Sequence, residues 1–387
     1  MPKNIVICCD GTAGTIQPDA LSNVILMYRI LQKDEKQLLY YDPGMAVLGN
    51  PTPYLWLKKW LQRALIGVLG FGVDESVLKA YRFLLHNYED GDQIYMFGYS
   101  RGAYTVRVLA GFIHMLGLLK PEHENLCDYA YGAYRRAADG DFNQAWLFRS
   151  VLSTRENIPI KFIGVWDTVS SVIVPKFQFI SSRKREFLPV GIKLERLPYT
   201  SSNRSVEIFR HALAIDERRQ LFNCDLWQEP QTYDLNFFNP KDDKDQDIKQ
   251  IWFSGHHGDV GGGHPEQESG LSKISLEWMA KEAKDAGLKV DTSKFNRYVL
   301  GKKREGSRRE YVGPDHMGKL HDKMAPHWWL HSLITLKCVF EEGQRIPRPR
   351  ARIIPENSKI HESVLAKMED DTNYRPKNLP EKYEVCS

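Results

Sequence analysis

The stretch Gly98-Tyr99-Ser100-Arg101-Gly102 constrains this chain more than any other. It follows the apolar run Gln93-Ile94-Tyr95-Met96-Phe97 and leads into Ala103-Tyr104-Thr105-Val106-Arg107-Val108-Leu109-Ala110. That order predicts strand, sharp turn and helix with a serine at the apex, the pattern of a nucleophile elbow. Glycine is required on both flanks because a Cβ there would strike a neighbouring element. A serine raised in this way sits at a helix N-terminus, where backbone N–H groups can receive an oxyanion.

The rest of the chain alternates short apolar runs with longer helical patterns. Strands are predicted at Asn4 to Cys8, Gln37 to Tyr41, Ile160 to Val165 and Ile248 to Phe253, and helices at Asn23 to Leu31, Asp74 to Tyr88 and Leu271 to Gly287. The expectation is an α/β protein with a mainly parallel sheet flanked by helices, an α/β-hydrolase fold given its elbow. Four strands end in polar turns: Asp10-Gly11-Thr12, the elbow, Trp166-Asp167, and His256 to Gly263. In a parallel sheet such ends share one edge, where ligands bind. No internal repeat or linker divides residues 1–387, so one domain is expected. The charged and aromatic stretches 121–157, 174–205 and 288–325 read as cap or lid insertions, and 340–387 as a wrapping tail.

Composition narrows the function classes. Hydrophobic residues make up 42% and charged residues 26%, and the net charge of +4 is too small and too scattered to imply nucleic acid. The six cysteines have no metal-knuckle or redox spacing, which favours reduced, structural thiols. The chain enters a strand directly after Met1-Pro2-Lys3, and no apolar run reaches transmembrane length. A cytoplasmic protein is expected, or one exported without a cleaved signal peptide.

A serine hydroxyl needs a base to take its proton, and the base needs an orienting acid. Asp167 is the favoured acid because it ends the strand after the elbow strand. His257 is the favoured base, with His256 its neighbour in the same glycine-rich turn and Asp259 an alternative orienter. His361, His331 and His211 also follow the serine, and His361 stays open as a second base. Arg101 N–H and Gly11 N–H are the expected oxyanion donors, with Asp10 accessory to that turn. A haloacid-dehalogenase reading of Asp10-Gly11-Thr12 fails because its nucleophilic aspartate is replaced by Cys8. A metal-dependent phosphohydrolase built on His256, His257, Asp259, His264 and Asp10 remains an alternative. So does a binding module that holds a lipid or small ligand without turnover.

Several longer stretches carry a resemblance. They include Cys9-Asp10-Gly11-Thr12, Ser22-Asn23-Val24, Tyr40-Tyr41-Asp42-Pro43-Gly44 and Gly164-Val165-Trp166-Asp167-Thr168-Val169. The elbow, residues 210–219, 252–263 and 271–279, Ile360-His361-Glu362-Ser363-Val364 and residues 374–379 complete the set. In these the chain resembles the catalytic domain of type VI secretion phospholipase effectors of the first lipase class, within an α/β-hydrolase domain family. The resemblance implies a Ser-Asp-His triad, with Ser100 and Asp167 at its motif positions and His257 aligned with its histidine. His256 is then an extra residue, and Gly258 stands where the family usually has serine. The resemblance does not fix the substrate; the expected serine hydrolase would cleave carboxylic esters, with lipids or phospholipids favoured by analogy, and would require no metal or organic cofactor. Residues 55–69, with Trp56, Trp60, Lys58, Lys59 and Arg63, read either as an interfacial helix that contacts a membrane or as a buried one. Trp328-Trp329 is likewise a lid anchor or core. Oligomeric state is not legible.

Overall fold

A computed structural model describes residues 2–11, 19–44, 72–169, 173–176, 191–194, 197–219, 224–235, 244–303, 306, 309–321 and 351–387. The stretch 55–69, Thr12, Trp328-Trp329, His331 and residues 177–190 and 195–196 of the stretch 174–205 lie outside the described residues.

The apolar runs form the strands of one sheet: β1 (Asn4–Cys9), β2 (Gln37–Asp42), β3 (Gln93–Tyr99), β4 (Ile160–Trp166), β5 (Val206–Ala214), β6 (Asp247–Phe253), β7 (Ser358–His361) and β8 (Tyr383–Cys386). Their order is β8-β7-β6-β5-β4-β3-β1-β2. Every pair in this sheet is parallel. The main helices are α1 (Asn23–Ile30), α2 (Val73–Asn87), α3 (Arg101–Leu116), α4 (Cys127–Arg136), α5 (Asn143–Leu152), α6 (His257–Gly261), α7 (Gly270–Asp285), α8 (Thr292–Tyr298) and α9 (Glu362–Asp370). Among the described residues no helix is long and apolar enough to cross a membrane.

β1 shows why its sequence is apolar at every position from Ile5 to Cys9. Ile5, Ile7 and Cys9 pack to one side with Val77, Leu84, Leu109 and Phe112 of α2 and α3. Val6 and Cys8 pack to the other with Val24 and Met27 of α1 and Ile274 and Met279 of α7. A parallel sheet covered on both faces needs apolar side chains in both directions, not an alternation. Helix α1 starts where Ser22 accepts the Ile25 N–H at 3.3 Å, which satisfies a donor the first turn would otherwise leave open.

α3 is the central helix, and of its sixteen residues only Arg101 and His114 escape burial. Its outer side is covered by the segment predicted as an insertion at 121–157. There Phe112 meets the Tyr131 ring edge-on at 5.4 Å and the Tyr134 ring at 5.5 Å. The C-terminal segment does more than wrap: β7 and β8 extend the sheet in parallel, with α9 between them. Four-residue strands of mixed polarity such as Ser358-Lys359-Ile360-His361 carry no periodicity to announce them.

Several histidines are structural. His211 of β5 is fully buried and accepts the Thr168 N–H on Nε2 at 3.2 Å. Burial, reinforced by Arg107, lowers its pKa to about 3. His361 caps α9 by accepting the Ser363 N–H on Nδ1, and its ring stacks on Phe253 at 4.6 Å. Burial, with Lys281 adding to it, lowers its pKa to about 4.

Two outcomes follow. A Cβ on Gly102 would lie 2.1 Å from the Cys9 carbonyl oxygen and 2.6 Å from that of Asp10. Gly102→Ala is therefore expected to lower unfolding free energy by about 2–3 kcal/mol in urea; an unchanged midpoint would contradict the close approach. The second concerns acid. An unfolded histidine takes up a proton near pH ~6.5, whereas folded His361 does so only near pH 4. Between those values the unfolded chain binds more protons, so stability falls as pH falls. His361→Asn keeps a capping acceptor without the proton site, so its stability should decline less steeply, by up to about 1 kcal/mol per pH unit. Parallel urea curves for the two proteins would refute a buried neutral His361.

Candidate active site

Parallel pairing aligns the strand ends that carry the polar turns. Cys9 is in register with Gly98, Tyr99 with Trp166, Trp166 with Ala212, and Ala214 with Phe253. The connections reverse direction between β1 and β3, the switch point at which open α/β sheets form a crevice. Gly11 and Ser100 stand on its two sides.

Ser100 is partly exposed, with φ 57° and ψ −120°, a conformation few non-glycine residues hold without support. Support comes from three bonds. Its N–H donates to the Trp166 carbonyl at 3.0 Å, and its carbonyl accepts from Tyr104 N–H at 3.3 Å and Val169 N–H at 3.4 Å. Both flanking glycines are sterically required, as expected from the motif. A Cβ on Gly98 would lie 2.5 Å from the Gly102 carbonyl oxygen, and one on Gly102 would enter the end of β1. Arg101 opens α3 directly after the serine. Burial lowers the pKa of its guanidinium to about 10.

Gly11 packs against the serine, since a Cβ on it would lie 3.2 Å from Ser100 Cβ. Its N–H does not match the expected oxyanion role, because it donates to Asp10 Oδ1 at 2.8 Å. The other oxygen of Asp10 accepts from Ser22 Oγ and from Tyr41 hydroxyl at 3.0 Å. Burial pushes the Asp10 pKa up despite these donors. Asp10 thus holds the turn beside Ser100 together.

Asp167 follows β4, is fully buried and has φ 41°. Its Oδ2 lies 2.6 Å from His257 Nδ1. Burial pushes its pKa up, but the Arg352 guanidinium and His257 outweigh that and hold it well below the usual carboxylate range. His257 begins α6, with its N–H donating to Glu217 Oε2 at 3.2 Å and its carbonyl accepting from Tyr99 hydroxyl at 3.1 Å. The Tyr99 ring lies 4.7 Å from the imidazole, and a Cβ on Gly261 would overlap that ring. Burial lowers the His257 pKa against the opposite pull of Asp167 and Glu217.

Asp259 does not orient His257. Its Oδ2 accepts from the His256 and His321 N–H groups at 3.0 and 3.1 Å, and its Oδ1 lies 2.6 Å from His321 Nδ1. His264 Nε2 is 3.4 Å from the same Oδ1. A Cβ at Gly258 would lie 2.6 Å from His264 Nε2, so glycine at that position is what admits the ring. Asp259, His264 and His321 offer metal-ligand atoms within 4.8 Å of one another. However, the two imidazoles stack at 3.6 Å with planes 7° apart. An imidazole ligates along a lone pair in its own ring plane, and stacked planes share no point where an ion could meet both. His321 Nε2 is held by Glu268 Oε2 at 2.8 Å. The cluster ties residue 321 to α6 instead of forming the histidine set expected for a phosphohydrolase, whose His257 is drawn to Asp167.

Three groups at this edge were given no role by the sequence reading: Glu217 and Arg219, within the stretch 210–219, and Arg352. Arg219 clamps Glu217 through Nε at 2.9 Å and Nη2 at 2.7 Å. Burial raises the Glu217 pKa, but Arg219 overrides it and brings it to about 2. Arg352 grips both oxygens of Asp167, at 2.5 and 2.9 Å. In the chain it looks like any basic residue of a tail.

The chain is similar to several known proteins. A curated relative from Saccharomyces cerevisiae (strain ATCC 204508 / S288c), the uncharacterized protein YEL023C, is 33% identical over 235 residues, covering 57% of this chain. That match takes in 32% of the yeast protein, so this chain spans less than a third of its length. Among solved structures, an uncharacterized protein from Pseudomonas aeruginosa has TM-score 0.39 and 18% identity, covering 75% of this chain and 46% of that one. The Tle1 effector bound to the VgrG spike of the type 6 secretion system has TM-score 0.32 and 20% identity, covering 70% and 53%. Residues 3–282 match the family described as "T6SS, Phospholipase effector Tle1-like, catalytic domain", and the chain belongs to that family.

Proposed function

We propose that this chain is a serine hydrolase that cleaves carboxylic ester bonds of lipids, with phospholipid acyl esters the favoured substrates. The observation that carries this reading is the 2.6 Å contact of His257 Nδ1 with Asp167 Oδ2, at the same sheet edge as the Ser100 elbow. The lipid substrate is supported by membership of a phospholipase effector family.

In this reading Ser100 Oγ attacks the ester carbonyl carbon while His257 Nε2 takes its proton. Asp167 holds Nδ1–H, and so fixes the tautomer that leaves Nε2 as the acceptor. The oxyanion that forms is met by the first turn of α3, led by the Arg101 N–H. The carbonyl then re-forms, the C–O bond to the alcohol or lysolipid breaks, and His257 returns the proton to that oxygen. Water, deprotonated by His257, releases the fatty acid and restores Ser100. The lowered basicity of His257 keeps the imidazole neutral, and hence able to accept a proton, near neutral pH.

The experiment is fluorophosphonate labelling of the purified protein, read by intact mass, beside a phospholipid hydrolysis assay. One adduct is expected on the wild type and none on Ser100→Ala, with hydrolysis lost by at least about a thousandfold in Ser100→Ala and His257→Ala. A chelator should leave the rate unchanged. A folded wild type that takes no label would favour a ligand-binding module. Activity that survives Ser100→Ala but not the chelator would favour a metal-dependent enzyme.

A further inference from the structure

His257 is only one of four donors on the Asp167 carboxylate. Arg352 Nη1 donates to Oδ1 at 2.5 Å and Nη2 to Oδ2 at 2.9 Å, a two-pronged grip. The Ala214 N–H donates to Oδ1 at 3.0 Å. Arg352 is itself 5% exposed, and its Nη1 also donates to the Ala214 carbonyl at 3.0 Å. Its backbone is anchored by Asn378, whose Nδ2 donates to the carbonyls of both Arg352 and Ile215 at 3.0 Å. The residue lies beyond 282, where the family match ends, in the segment that adds β7 and β8 to the sheet.

Charge matching gives this contact its consequence. From β4, Asp167 faces the His257 imidazole, and Arg352 balances it. From the turn after β5, Glu217 accepts the His257 N–H, and Arg219 balances it. From β3, Tyr99 contributes a ring and a hydroxyl. Along α6 and beyond it sit His256, Asp259, His264 and His321, bound to one another. Each carboxylate that faces the imidazole is thus matched by an arginine. A proton on His257 would add an unmatched buried charge, which is costly in a low-dielectric interior.

Resting on the Ser100–His257–Asp167 reading, we infer that Arg352 is a positioning residue for the triad. Its guanidinium fork fixes the plane of the Asp167 carboxylate toward His257 Nδ1. Its charge offsets that of Asp167, so that His257 remains an unprotonated base to lower pH than an unmatched Asp–His pair would allow. Without Arg352, protonation of His257 would restore neutrality beside Asp167, and the base would be lost at higher pH. The lowered basicity of His257 and the strongly acidic Asp167 agree with this balance.

The test follows the second-order rate of fluorophosphonate labelling at Ser100 from about pH 5 to 9, which requires no knowledge of the natural substrate. In Arg352→Met the acid limb of the profile should move upward by about one to two pH units relative to wild type. In Arg352→Lys the charge stays but the fork is lost, so the limb should hold its place while the plateau falls by about tenfold or more. A merely structural role would change the labelled fraction without moving the limb. If Arg352→Met fails to fold, Arg352→Lys decides alone: a limb shifted upward, or a plateau equal to wild type, overturns the inference. Wild type labelled with the limb unmoved in Arg352→Met overturns this inference and leaves the triad reading standing. Wild type that takes no label overturns both.

Discussion

Two missing side chains allow the rest of the site to exist. At Gly98 and Gly102 the first turn of α3 comes down onto the ends of β3 and β1, with no room for a single carbon. That approach drives the turn at Ser100 into positive φ, lifts the serine above the sheet edge, and seats Gly11 against it. It also sets where α3 runs. The helix is buried almost throughout, so it must pass between the sheet and the covering helices α4 and α5. An apolar surface on every side is what that position demands.

The second constraint is electrostatic. The two carboxylates that hold His257 are each matched by an arginine: Asp167 with Arg352, and Glu217 with Arg219. The same economy holds farther off, where Arg107 meets Asp225 and Lys273 meets Glu266. A buried ion pair adds little net stability, but removing one member leaves an uncompensated charge in a low-dielectric interior. Such pairs therefore hold geometry more than they add free energy. Here they hold His257 by two carboxylates, Asp167 on its ring and Glu217 on its backbone N–H, without making the ring strongly basic. His211 and His361, neutral in the interior, belong to the same pattern.

Much of this was readable in the chain. The strands β1, β2, β3, β4 and β6 and the helices α1, α2 and α7 follow runs whose spacing announces them, within a residue or two, and α3 continues six residues past the run read at Ala103 to Ala110. The sharp turn at Ser100 was legible because its determinants are local: strand, two glycines and serine are neighbours in sequence. The choice among histidines was not legible from residues alone. His256 and His257 are adjacent, and only the start of α6 decides which ring reaches Asp167. Asp259, the nearer acid in sequence, turns to His321 instead, sixty-two residues away. The Gly11 N–H was expected at an oxyanion and is held by its own neighbour Asp10. That bond depends on Ser22 and Tyr41 fixing the carboxylate.

The sequence by itself determined the α/β class, the parallel sheet and the serine at its edge, because hydrophobic periodicity and turn chemistry act over a few residues. Tertiary structure alone brought the His257 ring to the Asp167 carboxylate across 90 positions of chain, and Arg352 to it across 185. Hydrogen bonds and ion pairs between strand ends depend on register and on the path of distant segments, and neither leaves a mark in local pattern. Asp167 lies in a motif that resembles a family; the arginine that grips it lies outside every stretch that carries that resemblance. Only folding puts the two within 3 Å.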